Sequence, residues 1–356
     1  MPSTTLRDVA ELAGVSIGTA SSALNNRPTV STDTRAKVID AAISLGYPIK
    51  DAETLAHQNK LSVVGLLLKQ DQGEEWTIDQ FYSKVQMGVT NACHVNKISV
   101  MFSYVEVDRS NRPASWPIML EDQRIDALVM AGVFLDETVS RIQRSNNIPI
   151  VLLDGYSGMK SVDSVVTDNL GGARKAMDYL FEHGHQHIGL VGWNPDSPPS
   201  IQDRYLGYVG SMNVKGYSLY VEPSILFRGG GHKATHKLLK RHPEVTAIFA
   251  CNDETAIGVM DAAQEMGRRI PQDLSVIGFD DIQLSHEVEP GLTTIHVHKS
   301  WMGSMGVNTL IERSRNPGQP KITKVVATHL VERETVAFID ANGKTMVNTS
   351  DSVTEA

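Results

Sequence analysis

The sequence predicts a small all-α domain followed by a two-lobed α/β body built on parallel sheets. Three short helical patterns with their own start and stop signals crowd into residues 1–46, and a polar stretch follows. From Ser62 to about Asp340 short apolar runs alternate with amphipathic segments. At 356 residues the chain exceeds the usual size of one domain, so more than one core is expected.

The first helix should begin after Thr5, whose hydroxyl suits an N-cap, carry Leu6, Val9, Ala10 and Ala13 on one face, and stop at Gly14. Ser16 caps a second helix whose buried stripe is Ala20, Ala23 and Leu24. Two helices joined so tightly are the signature of a helix-turn-helix. A third helix spans about 32–45 behind Ser31, with Ala36, Ile39, Ala42 and Ile43 among its inward candidates; Gly46 and Pro48 end it. Residues 48–61, "PIKDAETLAHQNKL", are polar around a central Leu55 and read as a linker.

In the body, "SVVGLLL", "ISVMF", "ALVMA", "IPIVLLD", "HIGLVG", "AIFAC" and "LSVIGFD" read as strands, separated by helical segments such as 81–95, 171–183 and 254–266. Continuous hydrophobicity suits parallel strands buried on both faces. The body is long for one such sheet, so two lobes are expected, with the chain crossing between them more than once. The tail 341–356 is polar and aperiodic and is expected to be disordered. The expected division is therefore 1–47, 48–61, 62–340 and 341–356.

Composition narrows the function. Lys and Arg number 33 against 41 Asp and Glu, a net charge of −8, so any nucleic-acid contact must be local rather than a general coat. The two cysteines, Cys93 and Cys251, are far apart and lack metal-ligand spacing, which suggests neither a disulfide framework nor a zinc site and fits the cytoplasm. No apolar signal core and no uninterrupted apolar run of about 18 residues occurs, so neither export nor membrane insertion is expected.

Ligands of open α/β folds bind beyond the carboxyl ends of the strands. Asp154, Asn252, Asp253 and Asp280 stand at such ends, and their carboxylates and amide suit paired hydrogen bonds to sugar hydroxyls. Arg204 in "DRYLGY" is placed to donate from the opposite lobe. Phe81, Trp193 and Phe227 are either apolar platforms for a sugar or core residues, and Asp168 and Asn169 at a helix start are either caps or ligand contacts. "RGGGHK" lacks the ending of a phosphate loop, and its glycines read as a turn before a helix. No nucleophile elbow and no singled-out acid and base appear, so catalysis and cofactors are not expected.

At this point the motifs resemble a known family. "TLRDVAELAGVSIGTASSALNN" followed by "VSTDTRAKVIDAAISLGY" resembles the DNA-binding headpiece of the lac repressor family. "VVTDNLGGARKAMDYLFEHGHQHIGLVG", "DRYLGY", "AIFACNDETAIGVMDAAQEMGRRIPQDLSVIGFDDI" and "PGLTTI" resemble its effector-binding core, which is similar to periplasmic sugar-binding proteins. The resemblance covers about residues 5–336. It implies a non-enzymatic, dimeric repressor that binds double-stranded operator DNA and is governed by a small effector, a sugar or sugar derivative. It also makes "EHGHQH" an ordinary helix-to-strand turn, and implies effector contacts for Arg204, Asn252 and Asp280.

For the headpiece, the resemblance places Ser16, Ile17 and Gly18 where the second helix meets base edges, and implies phosphate contacts for Thr5, Thr19, Ser21 and Asn25. Ser22 supplies a further short polar group, and Arg27 is the one long cation just past the helix. Many family members carry long polar side chains at the positions of Ile17 and Gly18, or arginine at that of Ser22, which is what a bidentate contact to guanine requires. Here Ile17 suits a thymine methyl instead, and Gly18 allows close backbone approach. Residues 1–60 carry six Lys/Arg and six Asp/Glu, so non-specific phosphate attraction should be weak.

Within the linker, "AETL" parallels a hinge helix that wedges a leucine into the minor groove, making Leu55 either that wedge or part of a dimer seam. Glu53 stands where an arginine is common, with Asp51 nearby. The leucine heptads that make some relatives tetrameric are missing after Asp340, so a dimer is preferred. Two rivals remain at this stage: a solute receptor for a transporter, which shares the core fold, and a sugar- or nucleoside-acting enzyme.

Overall fold

A computed structural model describes residues 4–25, 29–47, 61–71, 79–108, 110–156, 158 and 162–340. Residues 26–28, the linker residues 48–60 and the tail 341–356 lie outside them, and with them the assignments made to Arg27, Asp51, Glu53 and Leu55. The chain divides into two compact units, Met1–Lys60 and Leu61–Ala356.

The smaller unit holds α1 (Leu6–Leu12), α2 (Ile17–Leu24) and α3 (Thr32–Ser44). Thr5 and Asp8 form a reciprocal capping box on α1, while Ser16 and Ser31 accept from the Thr19 and Thr34 amides. Gly14, at φ +66°, makes the turn into α2 in a conformation that side chains rarely adopt. Val9, Ala10, Ala20, Ala23, Val38, Ala41 and Ala42 form one small core. The inward face of α3 differs from the expected one. Val38, Ala41, Ala42 and Leu45 point in, whereas Ala36 and Ile43 are exposed, because packing against α1 and α2 selects the stripe one step around the helix.

The larger unit contains two six-stranded sheets. The first lobe is built on β1 (Val63–Asp71), β2 (Ser99–Val107), β3 (Ala127–Ala131), β4 (Ile150–Leu153), β5 (Asp163–Thr167) and β11 (Thr323–Val326), in the order β11-β5-β4-β3-β1-β2 and parallel throughout. The second is built on β6 (Ile188–Val191), β7 (Tyr220–Glu222), β8 (Ala247–Ala250), β9 (Ser275–Asp280), β10 (Thr293–His296) and β12 (His329–Val331), in the order β12-β10-β9-β8-β6-β7. Only β12, at the edge, runs antiparallel to its neighbour. The chain passes between the lobes three times, after β5, after β10 and after β11.

Helices cover both sheets: α4 (Gln80–Val95), α5 (Ile118–Glu121) and α6 (Asp136–Asn146) in the first lobe, then α7 (Asn169–Glu182), α8 (Pro199–Lys215), α9 (Arg228–Arg241), α10 (Asp253–Glu265) and α11 (Leu284–Glu287) in the second. The glycines of "RGGG" lie inside the first turn of α9, not in a turn before it. After the second crossing α12 (Lys299–Arg315) returns to the first lobe and packs on α4. Their backbones meet through paired glycines: a Cβ on Gly88 would fall 1.9 Å from the Ser300 carbonyl oxygen, and one on Gly303 2.2 Å from that of Val85.

A buried ion pair fastens α12 to the first sheet. Arg313 donates from Nε and Nη2 to the two Asp163 oxygens at 2.8 and 2.7 Å, and the Ile322 amide adds a bond at 2.9 Å. Both side chains are almost wholly buried. Removing one partner strands a charge in the core, so Arg313→Ala should lower the unfolding free energy by about 3–5 kcal/mol. Adding Asp163→Asn should recover part of that loss in chemical denaturation.

Candidate functional site

Two surfaces gather the residues singled out by sequence. On the helix-turn-helix, Ser16, Ile17 and Gly18 are exposed at the start of α2, with Ile17 44% exposed. An isoleucine that the small core leaves outside is available to an apolar partner such as a thymine methyl. Ser16 Oγ also lies 2.8 Å from Thr19 Oγ1, and Asn25 Nδ2 donates to the Ser21 carbonyl at 2.8 Å, so these side chains are positioned before any partner arrives. Thr5 is tied to Asp8, and Ser21 and Ser22 are half-buried.

The second surface lies where the strand ends of both lobes meet. Arg204, buried in α8, donates from Nε to Asn169 Oδ1 at 3.0 Å, from Nη1 to the Cys251 carbonyl at 2.5 Å and from Nη2 to Asp280 Oδ1 at 2.9 Å. Its guanidinium sits 3.7 Å over the Phe279 ring. Three of five N–H groups are thereby used, leaving two for a ligand. One side chain thus links the ends of β8 and β9 to the start of α7. Burial pushes the Asp280 carboxyl up, opposed by Arg204 and Lys299 beside it. Lys299 reaches the Asp280, Asp281 and Val297 carbonyls at the second crossing.

Asp154 ends β4 on the first lobe. One oxygen accepts from the Tyr82 hydroxyl at 3.1 Å, and Oδ1 is buried without a hydrogen-bond partner. Burial raises its pKa to about 7; Arg204 opposes the rise, while Asp280 and Asp79 add to it. Asp154 therefore shares its electrostatic field with the Arg204–Asp280 pair of the other lobe. Asp154, Asp280 and Asp281 have φ of +56°, +110° and +52°, a backbone strain concentrated where the strands end. Asp79 caps α4 by accepting from the Phe81 and Tyr82 amides at 2.7 and 2.9 Å, which holds Tyr82 in place.

The remaining candidates divide. Asn252 Oδ1 caps α10 by accepting from the Thr255 amide, and Asp168 caps α7 by accepting from Gly171, whereas Asn169 is a partner of Arg204. Trp193 stacks on Tyr205 at 3.9 Å and donates to Gln202; one face of its ring is already taken. Phe81 packs edge-on against Tyr82. Phe227 is 45% exposed at the start of α9, and no described contact joins it to Arg204. The histidines of "EHGHQH" are held apart, with His183 on the Tyr179 carbonyl, His185 between Thr246 and Ala337, and His187 on Tyr220.

Sequence reading missed Tyr82, Lys299 and a cluster around Asp281. The Asp281 carboxylate is opposed by burial yet held down to about 2 by hydrogen bonds from Arg333 and His296. Those residues join β9, β10 and the segment after β12, and Asp281 and His296, with Gln80, Lys84 and Lys299, border a cavity of about 400 Å³ at the second crossing. The doubled aspartate of "GFDD" was the available signal, since Asp tolerates positive φ better than most residues.

Comparison with known proteins places these observations. The chain matches the model of the periplasmic binding protein-like domain over residues 177–336 and that of bacterial regulatory proteins, lacI family, over residues 5–48. The HTH-type transcriptional repressor PurR of Serratia proteamaculans is 30% identical over 346 residues, spanning 94% of this chain and 98% of its own length. The ribose operon repressor of Haemophilus influenzae is 29% identical over 336 residues, spanning 93% and 98%. Among solved structures, the lac repressor dimer bound to operator and the anti-inducer ONPF superposes with a TM-score of 0.65 at 25% identity, covering 94% of this chain and 99% of that one. Among the described residues, no helix is long and apolar enough to cross a membrane.

Because the folded pKa of Asp154 is raised from 3.8 to about 7, the native state holds a proton that the unfolded state releases, and stability falls as pH rises through that window. Asp154→Asn removes this dependence. Its unfolding free energy relative to the wild type should rise by roughly 2–4 kcal/mol between pH 4 and pH 7. A difference independent of pH in denaturant titrations would refute the assignment.

Proposed function

The chain belongs to the lacI family of bacterial regulatory proteins, and from that premise we propose a cytoplasmic homodimeric repressor whose operator affinity is set by a polyhydroxylated effector held between the two lobes. Residues 1–47 are its DNA-reading part, 48–61 its hinge, and 62–340 its sensing and dimerising core. A twofold dimer presents two α2 helices to a near-palindromic operator, with Ser16, Ile17 and Gly18 toward the bases, Thr5, Thr19, Ser21 and Asn25 around the phosphates, and Ser22 and Arg27 as further polar and cationic groups of the same surface. Exposed Met87, Val95, Phe102 and Tyr104 on the first lobe support a dimer contact there.

The observation that carries the effector reading is the partnerless Asp154 Oδ1 on one lobe, electrostatically linked to the Arg204–Asp280 pair on the other. A ligand hydroxyl donating to Asp154 removes the cost of that bare acceptor, and other hydroxyls take the two free Arg204 N–H groups. A ligand bridging the lobes binds the closed arrangement more tightly than the open one, and that difference is the whole of its regulatory leverage. The similar ribose operon repressor supports a sugar.

A thermal-shift panel of pentoses, hexoses, sugar phosphates and purines should show stabilisation by a sugar. Asp154→Ala should weaken that ligand at least tenfold, about 1.4 kcal/mol, while the variant still protects the same symmetric operator in footprints at low salt. Stabilisation by purines alone, or turnover of a candidate ligand, would sink the reading. Ile17→Ala should reduce operator affinity several-fold with little change in the salt slope, as expected for an apolar base contact rather than a phosphate contact.

A further inference from the structure

Away from the cleft, three metal-ligating side chains converge on neighbouring helices of the second lobe. His232 and His236 stand one turn apart on α9, and Glu265 ends α10. Both Nε2 atoms approach the same carboxylate oxygen, Glu265 Oε2, at 2.8 and 3.2 Å, and the three ligand atoms lie within 4.8 Å of one another. Ligands of a tetrahedral zinc ion at about 2.0–2.1 Å stand roughly 3.3 Å apart, so small rotations of exposed side chains complete the geometry. All three are open to solvent, with side chains 30%, 39% and 60% exposed.

The scaffold beneath them is rigid. A Cβ on Gly258 would fall 1.9 Å from the Arg228 carbonyl oxygen, and one on Gly231 2.3 Å from that of Thr255, so α9 and α10 touch backbone to backbone. One turn earlier Arg228 grips Asp261 with bonds of 2.6 and 2.9 Å, fixing the register in which His232 and His236 meet Glu265.

We propose that His232, His236 and Glu265 bind one divalent zinc-class ion, which staples α9 to α10 and leaves a fourth position to water. Two imidazoles and one carboxylate with an open position form a known zinc donor set. The ion takes the two imidazoles through their lone-pair nitrogens, so binding competes with protonation of those rings. The consequence is a stiffer second lobe, independent of whatever the cleft binds.

The test uses untagged full-length protein with ZnCl2, read by calorimetry and by metal analysis after dialysis, and with CoCl2, read by visible absorption. One equivalent per chain is expected, with a rise in Tm of about 5 °C at saturation. His232→Ala and His236→Ala should lose the equivalent and the cobalt band while keeping the metal-free Tm; Glu265→Gln should weaken binding at least tenfold. His298 belongs to a second histidine group, its ring 4.8 Å from His296 and 5.2 Å from His329, and His298→Ala should bind as the wild type does. Absence of a stoichiometric site, retention of it in His236→Ala, or its loss in His298→Ala overturns the proposal.

Discussion

The buried guanidinium of Arg204 is the constraint around which the cleft is arranged. A charge taken out of water must be met by partners, and a planar fork with five donors fixes where those partners stand. Here they come from the start of α7, the end of β8 and the end of β9. These segments are distant in sequence and are brought together by the order of the second sheet. Satisfying Arg204 therefore sets the spacing of the strand ends that a ligand meets. Arg313 plays the corresponding part in the first lobe, clamping α12 to β5. Each lobe is thus internally locked by a buried arginine.

That division explains why the Asp154 side differs from the Arg204 side. The second lobe has already met its charge, whereas Asp154 keeps an unanswered oxygen and a pKa near neutrality. In the proposed reading, a ligand that meets both halves draws them together, because it then gives Asp154 Oδ1 a donor while the Arg204 network keeps its own. The strained φ values of Asp154, Asp280 and Asp281 fall on both sides of this gap.

Much of this was legible in sequence, for identifiable reasons. Runs such as "ALVMA" and "AIFAC" announce doubly buried parallel strands because both faces must be apolar, and β3 and β8 lie on them. β5 and β12 were illegible because "DSVVT" and "HLV" are short and partly polar; they are strands only by virtue of the neighbours they pair with. The places of Asp154 and Asp280 at strand ends were readable from the polar residue that closes an apolar run, whereas Arg204 lies within α8 on the same lobe as Asp280, so sequence did not show which carboxylate it meets. Tyr82, Lys299 and Arg333 were not readable, since Lys299 and Arg333 follow crossings between the lobes, and Tyr82 meets Asp154 only through the packing of α4 in the first lobe. The third helix shows the limit most plainly: Ile43 is more apolar than Ala41, yet Ala41 is inside because packing against α1 and α2 turns that side of α3 inward.

The headpiece adds a consequence for regulation. Its six basic and six acidic residues over 1–60 give little non-specific attraction, and α2 offers Ile17 and Gly18 where long polar side chains would read guanine. A single half-site contact of this kind is weak. Operator affinity in the proposed dimer then rests on engaging both half-sites at once, where the second contact profits from the effective concentration created by the first. Such avidity depends steeply on the distance between the two reading helices and is lost when geometry forbids simultaneous contact. A regulator with feeble individual contacts consequently needs only a small rearrangement of its lobes to leave DNA. In the proposed repressor, the short, uncharged face of α2 and the half-satisfied cleft are complementary parts of one switch.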